Sequence, residues 1–153
     1  MSTWSSLTAA DVQPALAAAQ LTILRQRSLS EGQDDPLPAL LAEVTARVRG
    51  EIRAGRKNRL ERDATLLPPE LKLAAIHLAI EALQARLPTL ALSPDQVRLA
   101  NDARQLLARA GRGEIALSAP DDPEGDEGTG RRNSVEVLRH RPHPVSGQQL
   151  KNL

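Results

Sequence analysis

Histidines are the residues of this chain whose chemistry best suits catalysis or metal binding. His77 precedes Glu81 by four residues, so on a helix the two side chains would share one face and could share a metal ion. No third ligand follows at a matching spacing, and a polar stripe along the helix explains the pair better. Pro142 stands two residues after His140, and Pro144 directly follows His143. Prolines at such spacing are typical of surface segments. The histidines therefore predict no metal site.

Other reactive groups are scarce. The chain has no cysteine, which excludes thiol nucleophiles, disulfides and cysteine-bound zinc. Residues 125–130 are glycine-rich like a phosphate-binding loop, but they follow no strand, lack a lysine and hold two carboxylates that would repel phosphate. No serine, histidine and aspartate lie in a context that supports nucleophilic catalysis. We therefore expect no catalytic residue and no cofactor, and we do not expect an enzyme.

The strongest charge feature is the segment of residues 47–62, where seven bases stand against two acids for a net charge of +5. One interpretation is contact with DNA phosphates, directly or on the wall of a DNA-filled channel. The other is a solvated helix end, where cations interact favourably with the helix dipole. Aromatic stacking residues are absent, so sequence-specific readout is not predicted. The bases are Arg47, Arg49, Arg53, Arg56, Lys57, Arg59 and Arg62.

The composition indicates that helices position these residues. Among 153 residues there are 25 Leu and 23 Ala, one Trp, and no Phe or Tyr. Leu and Ala favour helices, whereas the aromatic residues that favour strands are nearly missing. The predicted fold class is all-α: a small bundle of four helices, or of one short helix and three longer ones, with an extended C-terminal arm.

Caps and prolines predict where the first helices lie. Thr8 and Asp11 predict the cap of an opening helix, which Pro14 shortens or kinks before a helical stretch to about residue 28. Apolar residues then recur with a helical period over residues 37–52, after a cap at Asp35 and before a stop at Gly55.

Two further helices follow. Residues 69–87 are apolar around most of the circumference, which is typical of a helix at the centre of a bundle or at a subunit contact. Ser93 and Gln96 predict a capping box for the last helix, which Gly111 ends. Its inward face is predicted to hold Val97, Ala100, Ala103, Leu106, Leu107 and Ala110.

The chain divides into three parts on composition. Residues 1–118 are the predicted helical domain, and residues 113–117 could fold back on its core. Residues 119–134 are rich in acids, Gly and Pro and are predicted to be a solvated linker. Residues 135–153 are the C-terminal arm, whose first residues alternate like a short edge strand. We expect the helical domain to stay folded when residues 120–153 are removed.

The arm is predicted to pair with a neighbouring copy or with a partner that accepts an added strand, the alternative being that it packs on its own bundle. Its candidate partner-binding residues are Val135, Val137, Leu138, Arg139, Arg141, Leu150 and Leu153.

No apolar run approaches the roughly 18 residues that span a bilayer, and residues 1–4 do not begin a signal peptide. We therefore expect no membrane partner and synthesis inside the cell.

In its order of motifs the chain resembles the head–tail adaptor (head-completion, or connector) proteins of long-tailed bacteriophages, especially the Mu-like branch. The residues that carry the resemblance are Leu7-Thr8-Ala9-Ala10-Asp11, Gly55-Arg56, Leu67-Pro68-Pro69-Glu70-Leu71, Ala110-Gly111-Arg112-Gly113-Glu114-Ile115-Ala116-Leu117 and the basic tail Arg139-His140-Arg141-Pro142-His143-Pro144.

The resemblance implies a structural role in the virion. Copies, usually about twelve in the family, would form a ring between portal and tail at the capsid vertex and extend the DNA channel. The chain would be made in the host cytoplasm and reside in the virion neck. Its implied partners are the portal protein, the next neck or tail protein (stopper or tail terminator), and DNA that passes without sequence-specific binding. The implied lumen-facing or DNA-facing residues are Arg53, Arg56, Lys57 and Arg59.

Two other classes of function stay open from the residues alone. The first is a small helical DNA-binding protein that uses the basic segment of residues 47–62, with salt-dependent binding to any duplex. The second is an accessory or regulatory helical module with an autoinhibitory tail.

Overall fold

The computed structural model of the protein describes residues 3–28 and 35–125. The helices in these ranges are α1 (Ala9–Val12), α2 (Ala18–Ser28), α3 (Pro36–Gly55), α4 (Pro69–Arg86) and α5 (Pro94–Gly111). Two short strands, β1 (Ser5–Ser6) and β2 (Leu66–Leu67), pair antiparallel with Ser5 opposite Leu67. The protein is mostly helical, which confirms the predicted all-α class.

The three long helices form the body, and α4 lies at its centre. It packs against both α3 and α5, which also contact each other, and against α1. Leu71, Leu78 and Leu83 of α4 are almost fully buried, together with Ala74, Ala75 and Ala79. Since other helices of the same chain cover most of α4, a central position explains most of its apolar circumference. α3 adds the periodic face that the sequence predicts, Leu37, Leu40, Leu41, Val44, Val48 and Ile52, all buried.

The N-terminal helix begins and ends as its sequence predicts. The Asp11 carboxylate accepts hydrogen bonds from the Thr8 backbone N–H at 2.8 Å and from the Thr8 hydroxyl at 2.7 Å. These bonds hold the pKa of Asp11 below its usual range. At Pro14 the helix gives way to a 3₁₀ turn over Gln13–Ala15, since proline cannot donate the backbone bond that would continue it.

The α5 cap is also as predicted. Ser93 Oγ accepts from the Gln96 backbone N–H at 3.2 Å, and Gln96 Oε1 accepts from the Ser93 N–H at 3.0 Å. The predicted inward face of α5 is wrong at its N-terminal end, because Val97 is 44% exposed. Leu106 is half-buried, whereas the four other residues of that face are buried.

After α5 the chain turns back over the bundle. Gly113 adopts a left-handed conformation (φ 73°), which glycine reaches without steric cost, and reverses the chain. Leu117 packs against the core as predicted, and the Trp4 indole N–H donates to the Ser118 carbonyl at 3.0 Å. We call residues 112–125 the strap. The rest of the predicted linker and the C-terminal arm lie outside the described residues, as do His140 and His143.

Candidate functional site

The strap ends on a buried arginine. Arg49 of α3 is only 2% exposed. Its guanidinium donates to the Leu66 carbonyl at 2.9 Å and to the Glu61 carbonyl at 2.6 Å, and it pairs with the Glu124 carboxylate at 3.0 Å. A buried charge is tolerated only when it is paired and hydrogen-bonded, and the strap supplies the carboxylate that pairs this one.

Glu61 holds the strap from the other side. Its buried carboxylate accepts the backbone N–H groups of Asp121 and Asp122, at 2.9 and 2.8 Å. The Arg62 N–H donates to the Asp122 carbonyl, and the Glu124 N–H donates to the Leu60 carbonyl, so the two segments run antiparallel. We call Arg49, Glu61 and Glu124 the clamp.

Over its described residues, the predicted linker contacts the bundle more than the sequence indicates. Residues 119–125 were expected to be solvated, yet residues 121–124 are bound to the bundle through the clamp. Two acids of this segment pair with bases of α3 and the loop after it: Glu124 with Arg49 and Arg53, and exposed Asp122 with Arg62. The predicted domain boundary at residue 118 thus falls inside a segment that belongs to the fold.

The acidic strap also pairs bases of the segment 47–62. Arg53 contacts Glu124 at 2.6 Å, and Arg62 contacts Asp122 at 3.3 Å. The Arg62 pair is largely exposed and the Arg53 pair is partly exposed, so each is a weak contact in water. Together with buried Arg49, three of the seven bases are engaged within the chain, which leaves less free positive charge than the sequence indicates.

Four exposed bases lie close together in sequence at the end of α3 and in the loop that follows it. We define the basic corner as Arg53, Arg56, Lys57 and Arg59, the residues predicted to face DNA. All four are exposed, and among the described residues Arg56, Lys57 and Arg59 have no ion-pair partner. Arg56 is held in the left-handed region (φ 53°) as it ends α3. The structure thus brings the four predicted residues to one end of one helix and its following loop.

His77 and Glu81 both lie on α4, as the spacing predicts, but their side chains have different surroundings. Glu81 forms an ion pair with Arg104 of α5. His77 is half-buried, and loss of water around the ring lowers its pKa. No cluster of three or more potential metal ligands occurs within residues 3–28 and 35–125.

A surface groove that the sequence does not predict lies on the bundle. α4 and α5 leave between them an open groove of about 420 Å³. Its floor and walls include Leu73, Ala74, Leu99, Ala103 and Leu106, and its edges carry Glu70, His77, Asp102 and Arg109. Leu73 belongs to the predicted apolar helix of residues 69–87, and only the arrangement of the neighbouring helices shows that it is 64% exposed.

Comparison of the chain with protein-family models, with curated proteins and with solved structures gave no match. In the described part of the chain, no helix combines the length and the apolar character needed to cross a membrane.

Proposed function

We propose that this chain is a structural subunit of a virion neck, a head–tail adaptor that forms a ring of about twelve copies between portal and tail. The ring would extend the channel through which DNA leaves the capsid. Its protein partners would be the portal and the next neck or tail protein. The proposal rests on the resemblance in motif order and on the way in which the bundle holds its C-terminal segment.

The single observation that carries the proposal is the clamp. Arg49 and Glu61, both buried, bind residues 121–124 through partly buried polar contacts, so the remaining residues, 126–153, start from a fixed point on the bundle. A segment that only trailed from the domain would need no such anchor. A subunit that contacts a neighbour through its C-terminal arm does need one, because a fixed starting point lowers the entropy lost when the arm binds.

The basic corner fits the same role. Arg56, Lys57 and Arg59 extend from one end of α3 and are not neutralised within the described residues. In a ring, such a corner repeated about twelve times would place positive charge along a channel and interact with DNA phosphates without reading sequence. Arg53 would contribute less, since it pairs with Glu124.

The alternative function is a small helical DNA-binding protein, which the basic segment of residues 47–62 suggests. It is less well supported, because Arg49, Arg53 and Arg62 are paired with carbonyls or with acids of the strap. The two functions differ in what the isolated chain does. An adaptor subunit should have little affinity for free duplex, whereas a DNA-binding protein should bind any duplex with an affinity that falls steeply with salt.

Electron cryo-microscopy of particles assembled with this chain tests the proposal. The expected result is a ring of about a dozen copies stacked on the larger portal ring. The matched control is a chain truncated after Gly125, which keeps the clamp but lacks the arm and should fail to enter particles. Particles without the full chain at the neck, or strong salt-sensitive duplex binding by the isolated chain, would overturn the adaptor proposal.

A further inference from the structure

The α4–α5 groove is an apolar surface that the described residues leave open. Leu73 is 64% exposed in a helix whose other large apolar side chains are buried or half-buried. Half-buried Leu99 and Leu106 line the same groove, so the exposed apolar surface is formed by several residues and not by Leu73 alone. The three leucines form an apolar floor on which apolar side chains of an occupant can pack.

The edges of the groove restrict what can bind there. Two carboxylates lie along it: Glu70 accepts hydrogen bonds from the Ser118 N–H and hydroxyl of the strap, whereas exposed Asp102 has no ion pair within the described residues. The base on the edge, Arg109, is already paired with Glu114 of the strap at 3.5 Å. The groove therefore favours an occupant with a few apolar side chains followed by positive charge.

We infer that the occupant is the first part of the C-terminal arm, residues 135–141. In an extended conformation Val135, Val137, Arg139 and Arg141 fall on one face, because successive side chains alternate. The two valines match the apolar floor, and the two arginines match the acidic edge. The rest of the chain beyond Gly125 offers no other stretch with this order of apolar and basic residues.

The length of the connecting segment permits this docking. Residues 126–134 join the end of the strap to Val135, and nine extended residues span at most about 30 Å. That distance is about the diameter of a small domain, so the arm can reach the groove of its own bundle or of an adjacent one. The contacts are the same in both cases, and exchange of a segment between identical chains costs little. The inference deepens the proposed function, since it names the surface that receives the arm.

Cysteine cross-linking in the full chain tests the docking, because the natural sequence has no cysteine that would interfere. Leu73→Cys and Val137→Cys are introduced together, and disulfide formation under mild oxidation is followed on non-reducing gels. The control pairs Val137→Cys with Ala85→Cys, an exposed alanine of α4 that lies twelve residues, about 18 Å, along the helix from Leu73. We expect the Leu73 pair to cross-link at least about tenfold faster, since a disulfide needs α-carbons within about 7 Å.

A further substitution, Val135→Asp in the Leu73–Val137 cysteine chain, should lower that rate severalfold by placing a charge on the apolar floor. A monomeric cross-linked product means docking within one chain, a dimeric Leu73–Val137 product means exchange between copies, and both support the inference. Equal rates for the two pairs, or a dominant Leu73–Leu73 product from two grooves facing each other, would overturn it. The assay uses the isolated chain in buffer, so it can fail while ring formation in particles succeeds, and the reverse.

Discussion

Gly55 at the end of α3 and Gly111 at the end of α5 meet backbone to backbone. A Cβ atom built on Gly55 would lie 1.5 Å from the carbonyl oxygen of Gly111, and one on Gly111 would lie 3.0 Å from the Glu51 carbonyl oxygen. No side chain fits between the two helices at this crossing. The close approach positions the end of α3, and with it the basic corner, against the start of the strap.

Replacing Gly55 with alanine should therefore destabilise the fold strongly. The added methyl group cannot be accommodated unless α3 and α5 separate, which we expect to cost about 3 kcal/mol or more of the free energy of unfolding. Gly50, in the same helix, is the matched control, because a Cβ there meets nothing within 4 Å. Gly50→Ala should stabilise by about 0.5–1 kcal/mol through helix propensity. Urea unfolding of both variants measures the difference, and equal midpoints would contradict the close crossing.

The clamp predicts a second large effect, at Arg49. Arg49→Met keeps a similar length of apolar stem but leaves the Leu66 and Glu61 carbonyls without their donor and Glu124 with Arg53 alone, so we expect a loss of about 2–4 kcal/mol. Arg47 lies in the same helix and is exposed, and Arg47→Met should change stability by no more than about 0.5 kcal/mol. If both substitutions had the same small effect, Arg49 would not be a buried structural charge.

The strap predicts that the position of a truncation decides whether the domain stays stable. A chain ending at Gly125 keeps every contact of Arg49 and Glu61, whereas one ending at residue 119 loses the two N–H donors of Glu61 and the carboxylate that pairs Arg49. We expect the shorter chain to lose several kcal/mol because two buried charges become unpaired. Thermal unfolding of the two truncations checks this, with the full chain as reference. A stable chain ending at residue 119 would restore the boundary expected from composition.

The helix starts were predictable because they depend on local rules. The Thr8 and Ser93 caps follow from side-chain groups three residues away in sequence, and the structure has both. Gly55 was predicted only as a helix stop. Its role at the α3–α5 crossing depends on which helix lies opposite, and the left-handed residue that ends α3 is Arg56 instead.

The clamp and the groove could not be predicted for a related reason. Arg49 was one of seven bases in a charged segment, and its burial depends on Glu124, 75 residues further along the chain. The acidic composition of residues 121–124 predicts a solvated linker because the arginines that pair with these acids are distant in sequence. Val97 is predicted to face inward from its helical period, yet its exposure depends on how much of α5 the neighbouring elements cover, and the same holds for Leu73 on the apolar helix α4.

His77 gives the last prediction, which concerns pH. Burial beside the groove lowers the pKa of His77 below its ordinary value of 6.5, because the charged ring loses water that the protein does not replace. As pH falls through 6.5 the unfolded chain takes up a proton that the folded chain resists, so the free energy of unfolding should fall until the folded pKa is passed. His77→Gln should remove this slope. The control is a variant with both His140→Gln and His143→Gln, which keeps His77 and should keep the slope. Urea unfolding between pH 7.5 and pH 5.5 measures the effect above the range in which carboxylates titrate. An unchanged slope in His77→Gln would show that His77 is as hydrated in the fold as in the unfolded chain.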